Sequence, residues 1–148
     1  MRIALPQAAR AGFAALALAL FAVACSSSSQ DGAAPAGGQV LQVKVKDFAI
    51  KAPKQLTPGT IVLHVRNAGP DTHELFVVRA DGHTLPLRPD NLTVDEDAVK
   101  PRTVGTLEDA RPGTLRTWKL HFTAGRYILF CNMSGHYLGG MHTLLVVR

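Results

Sequence analysis

From Tyr127 to Val147 the chain reads Y-I-L-F-C-N-M-S-G-H-Y-L-G-G-M-H-T-L-L-V-V, two short apolar runs around a loop of small and polar residues. Strands are expected from Arg126 to Cys131 and from Thr143 to Val147. Period two sets Tyr127, Leu129 and Cys131 on one face, taken as the inward one, with Cys131 at the end of its strand. The chain then turns at Ser134-Gly135, and the Gly139-Gly140 pair permits a second tight reversal before the last strand.

The same alternation recurs upstream. Leu41, Val43 and Val45 face one way and Gln42, Lys44 and Lys46 the other; Ile61, Leu63 and Val65 repeat this, as do Trp118, Leu120 and Phe122. A further strand is expected from Glu74 to Arg79. Turn signals at Pro58-Gly59, Ala68-Gly69-Pro70, Asp81-Gly82, Arg111-Pro112-Gly113 and Ala124-Gly125 separate these runs. No segment has a convincing amphipathic helical period. The reading is an all-β protein, a Greek-key antiparallel β-sandwich of about seven to eight strands. Residues 80–112 interrupt it with four prolines and the acidic cluster Asp95-Glu96-Asp97, read as a long excursion with one helical turn near Asp95 to Val99.

The N-terminus carries a different signal. Arg2 and Arg10 precede an apolar run from Ala11 to Val23, too short for a comfortable membrane span and read as an export signal. The sequence A-V-A-C followed by four serines resembles a bacterial lipobox, which makes residues 1–24 a lipoprotein signal peptide and Cys25 the lipidated residue. Residues 25–38, rich in Ser, Ala and Gly, then form a flexible tether, and residues 39–148 the single folded domain. The expected location is the cell envelope, anchored through the lipid and facing the periplasm or cell exterior. Without Arg2 and Arg10 the sixteen basic residues fall to fourteen against eleven acidic ones, a charge of +3 that gives no reason to expect nucleic acid as a partner. A monomer is expected.

With Cys25 lipidated, Cys131 is the remaining thiol, and no internal disulfide can form. A lone thiol in an exported protein is best explained by burial, metal ligation or both. Cys131, His136 and Met141 are spaced five apart, a thiolate, an imidazole and a thioether on one loop. His73, in N-A-G-P-D-T-H-E, is the candidate fourth ligand from a neighbouring strand. This donor set describes a mononuclear copper centre. Zinc is the main rival, but thioether is a poor zinc ligand. A multicopper oxidase would flank the cysteine with histidines, where this chain has Phe130 and Asn132, and a dinuclear copper centre needs two bridging thiolates.

The spacing C-x4-H-x4-M, the core F-C-N-M-S-G-H-Y and the upstream N-x-G-x-x-x-H-E resemble the small blue copper proteins of the cupredoxin family, nearest the sulfocyanin-like and rusticyanin-like members, over about Val40 to Val147. The resemblance implies His73, Cys131 and His136 as equatorial ligands, Met141 as the axial one, and one type 1 copper ion. It further implies one-electron transfer with redox partner proteins rather than enzymatic bond-making. An extracytoplasmic copper chaperone or buffer is the alternative. Many relatives place Asn or Ser after the first histidine; here Glu74 cannot donate to sulfur when ionised, so backbone N–H groups are expected to do so. Phe76, Phe130, Tyr137 and Leu138 are the expected apolar shell, and Tyr137, Leu138 and Gly139 the expected docking loop. His142 competes with Met141 for the axial position but is expected to point away, and Met133 is read as packing.

Overall fold

The computed structural model describes residues 38–148; the export signal, Cys25 and the tether up to residue 37 lie outside them. Strand β1 (Gln39–Lys46) buries Leu41, Val43 and Val45 and exposes the polar residues between them. At Asp47-Phe48 the chain reverses into β2 (Ala49–Lys51), crosses to the other layer as β3 (Gln55–Leu56), and returns beside β1 as β4 (Gly59–Asn67). With β7 (Leu115–Phe122) these make a sheet ordered β2-β1-β4-β7. The second sheet, β3-β9-β8-β5-β6, holds β5 (His73–Arg79), β6 (Thr103–Ala110), β8 (Gly125–Phe130) and β9 (His142–Val147). The expected β-sandwich stands, with nine strands among the described residues.

Two pairings depart from the antiparallel expectation: β1 runs parallel to β4, with Leu41 opposite Leu63 and Val43 opposite Val65, and β3 runs parallel to β9. For β1 and β4 the cause is the route between them. Residues 47–58 pass through β2 and β3, a crossover of the length that a parallel pair requires.

Strands β5 and β8 are buried on both faces. Leu75, Val77, Tyr127, Leu129 and Cys131 join the core between the sheets, whereas Phe76, Val78, Ile128 and Phe130 form a second core on the outer side of the five-stranded sheet. Double burial explains why L-F-V-V and Y-I-L-F read as unbroken apolar runs. The excursion supplies the cover: Leu85, Val94 and Val99 pack there with Tyr137. Phe76 and Phe130 stack at 5.0 Å between ring centres, and each fully buried ring contributes about 2–3 kcal/mol.

The excursion holds the expected helical turn, α1 (Glu96–Val99), capped by Asp95, whose carboxylate accepts from the backbone N–H groups of Asp97 and Ala98. It also holds β6, which the sequence reading placed in irregular chain. The sequence T-V-G-T-L-E-D-A lacks clean alternation because the pairing with β5 is twice irregular. Between His73 and Leu75, two steps on β5 face three on β6, and Asp109 takes up the extra residue with φ 57°. Gly105 is required by close approach: a Cβ there would stand 2.5 Å from the Trp118 ring of the opposite sheet.

Candidate metal centre

Asn67, buried at the end of β4, organises the turn that delivers His73. Its side-chain amide donates to the carbonyls of Asp71, at 2.6 Å, and Ala110, at 2.7 Å, while its Oδ1 accepts from the N–H of Gly69 at 2.8 Å. His73, fully buried, then opens β5. Its Nε2 lies 3.1 Å from Asp47 Oδ1, which leaves Nδ1 facing Cys131. Burial, and after it the neighbouring His136, lower the His73 pKa and so favour the neutral ring a metal needs.

Cys131 follows the last residue of β8 and is wholly buried. Its Sγ stands 3.5 Å from His136 Nδ1 and 3.9 Å from His73 Nδ1. The three candidate ligand atoms lie within 4.8 Å of one another. The backbone N–H of Glu74 donates to the sulfur at 3.5 Å, as expected where the Glu74 carboxylate could not. Burial raises the Cys131 pKa, against which the N–H groups of Glu74 and Met133 pull it down. A sulfur so placed is held as thiolate most readily by a cation, and one thiolate with two imidazoles around it fits a soft metal ion such as copper.

The loop turns as the glycines foretold. Gly135 has φ 77° and Gly140 φ 95°; the N–H of His136 donates to the Met133 carbonyl, and that of Gly140 to Tyr137. Met141 closes the circuit. Its N–H donates to the His136 carbonyl and its own carbonyl accepts from the Cys131 N–H, at 2.9 and 3.1 Å. It is fully buried in the core that contains Cys131. His142 is exposed beside the Tyr137 ring.

Several expected neighbours sit elsewhere. Phe76 and Phe130 belong to the second core, because odd and even positions of β5 and β8 point to opposite sides of their sheet, and Tyr137 packs against them from the loop. The apolar surroundings of Cys131 are instead the between-sheet core, including Met141 and Leu129. Tyr137 is buried, its hydroxyl accepting from the Leu85 N–H at 3.0 Å, so of Tyr137, Leu138 and Gly139, the loop expected to dock, only Leu138 and Gly139 reach the surface. Leu138 is exposed rather than part of a shell, and Met133 is exposed rather than packed.

Sequence reasoning missed the parts played by four residues. Asn132, next to Cys131, accepts from the Val94 N–H at 2.7 Å and donates to the Val94 carbonyl and to Glu96 Oε1, fastening the loop to the excursion. The Gly135 N–H adds a bond to the Leu92 carbonyl. Asp47 and Phe48 come from the β1–β2 turn, Phe48 lying 5.1 Å from the His136 ring. Their only sequence signal is a two-residue break between alternating runs.

No protein-family model matches the chain, and no curated protein matches its sequence. Solved structures do match. Dithionite-reduced auracyanin from the photosynthetic bacterium Roseiflexus castenholzii superposes with a TM-score of 0.59 at 18% identity, over 75% of this chain and 98% of that one. Auracyanin A, a "blue" copper protein from the green thermophilic photosynthetic bacterium Chloroflexus aurantiacus, gives 0.56 at 19%, over 76% and 100%. Rusticyanin from Thiobacillus ferrooxidans gives 0.54 at 17%, over 76% and 79%. At these identities the likeness is one of fold.

Proposed function

We propose that this chain, which has the cupredoxin fold of these neighbours, is a type 1 copper protein that carries single electrons in the cell envelope. The observation that carries the reading is the convergence of Cys131 Sγ with the Nδ1 atoms of His73 and His136 in one buried cluster. Those three atoms would hold the ion, and Met141 would offer its thioether as a weaker fourth donor. Bound copper supplies a one-electron couple, Cu(II) to Cu(I). Sulfur donors suit the reduced ion and imidazoles suit both, so a fixed mixed set demands little rearrangement when an electron arrives or leaves. The protein's part is to keep the set fixed: His73 is tied to Asp47, and the ligand loop to the excursion through Asn132. Such fixation favours an electron carrier over a copper chaperone, which must release its ion. The deciding experiment is the visible spectrum of Cu(II)-loaded protein, where an intense blue or green band is expected and a colourless protein would reject the assignment.

His136 is only half-buried, the most accessible of the three clustered ligands. Electrons would leave and enter there, with Leu138 and Gly139 as the docking loop for a redox partner protein and Tyr137 as its buried anchor. Leu138→Glu would strand a charge in that contact. It should slow exchange with the partner by about tenfold or more, the equivalent of about 1.4 kcal/mol, without changing the colour. Unchanged stopped-flow rates would place docking elsewhere.

Cys25 would anchor the monomer to the membrane, and a tether of about 14 residues would let the domain range up to ~45 Å from it. Cys25→Ala should move the exported protein from the membrane to the soluble fraction. Wild-type protein found free in that fraction would count against the anchor.

A further inference from the structure

The β1–β2 turn supplies no candidate ligand, yet its two residues touch both imidazoles of the cluster. Asp47 reaches Nε2 of His73 from one side, and the Phe48 ring lies against His136 on the other. The approach is built into two glycines. A Cβ at Gly69 would stand 2.7 Å from Asp47 Oδ1 and 3.0 Å from Lys46 Cα, and one at Gly139 would stand 2.8 Å from Phe48 Cε1. Phe48 also has φ 58°, a left-handed conformation that disfavours a non-glycine residue by about 1–2 kcal/mol. The conformation is kept where it lays the ring on His136.

Among the described residues, Asp47 forms an ion pair with no lysine or arginine; the one titratable side chain it pairs with is the His73 imidazole. We propose that Asp47 is a positioning residue that fixes His73 as its Nε2–H tautomer and whose negative charge biases the site toward the oxidised ion. The inference rests on the copper reading above.

Two separate effects follow from one hydrogen bond. An imidazole that donates Nε2–H to a carboxylate keeps Nδ1 bare and correctly aimed, which settles orientation. Any acceptor of the right shape would do that. The charge does more. With one thiolate, the oxidised centre carries a net +1 and the reduced centre is neutral, so a carboxylate at the far edge of a ligand ring stabilises the oxidised form selectively. The Asp47 side chain is 29% exposed, so solvent weakens the effect without removing it.

Asparagine and alanine separate the two effects. In metal-free protein at mildly alkaline pH, nitrogen-15 NMR should find His73 as the Nε2–H tautomer in the wild type and in Asp47→Asn, whose amide oxygen can still accept. Asp47→Ala should give a mixture of tautomers. In copper-loaded protein, Asp47→Asn should keep the visible band and favour Cu(I) by about tenfold in relative affinity, a rise of about 59 mV for a one-electron couple. An unchanged potential in Asp47→Asn with the tautomer retained would overturn the charge role. An unmixed tautomer in Asp47→Ala would overturn the positioning role. A wild-type protein that failed to colour with copper would sink the copper reading instead, and the metal-free spectra would still judge the positioning.

Discussion

Cys131→Ser should load copper without the intense visible band of the wild type. The band would come from charge transfer out of the thiolate, and Sγ is the atom the cluster is built around, 3.5 Å from one imidazole nitrogen and 3.9 Å from the other. A hydroxyl is smaller, harder and protonated at neutral pH, so it offers neither the donor orbital nor the affinity for reduced copper. The substitution is nearly isosteric in a buried position, so circular dichroism should report an intact sandwich. Absorption spectroscopy decides the matter: a variant that keeps the band would show that sulfur does not bind the metal.

The second large effect concerns Met141, where two substitutions should move the reduction potential in opposite directions. Met141→Gln replaces a soft thioether with a harder amide oxygen, which favours Cu(II) and lowers the potential. Met141→Leu preserves volume in a fully buried site but removes the donor altogether; the doubly charged ion gains more from any donor, even a weak one, than the singly charged ion does, so the loss costs the oxidised state more and raises the potential. Each shift should amount to at least about tenfold in relative affinity, about 59 mV. The blue band should survive in both. Gln adds an amide to the between-sheet core, so some loss of stability, about 1–3 kcal/mol, should accompany it. His142→Ala, at an exposed position beside Tyr137, serves as the control and should leave the potential unchanged. A shift in His142→Ala with none in the Met141 variants would move the fourth ligand by one residue.

The sandwich and the candidate ligand cluster were legible because both are written locally. Alternation in β1, β4 and β7 names the inward face, and Cys131 and His136 share a loop whose two reversals are marked by glycine. His73 could be proposed because Asn67 and Gly69 announce the turn before it. What escaped depends on contacts distant in sequence. β6 hides because its pairing slips at Asp109 and because Gly105 answers to Trp118 in the other sheet. The second core hides because period two cannot tell a strand face turned to solvent from one covered by a later excursion, which misassigned Phe76 and Phe130 as neighbours of the candidate metal site. Asp47 escaped for a simpler reason: it lies 26 residues before His73, and nothing in K-D-F-A marks its carboxylate as different from any other turn aspartate.

Five hydrogen bonds join the ligand loop to the excursion, through Asn132, Gly135 and Tyr137 on one side and Leu85, Leu92, Val94 and Glu96 on the other. The proposed binding loop is therefore not a self-sufficient cassette. Transplanted alone into another sandwich, residues 131–141 would bring a buried amide and a buried phenol with no partners to receive them, and each orphaned group would cost about 1–3 kcal/mol before any ion arrived. The portable unit is the pair, residues 85–96 grafted together with residues 131–141.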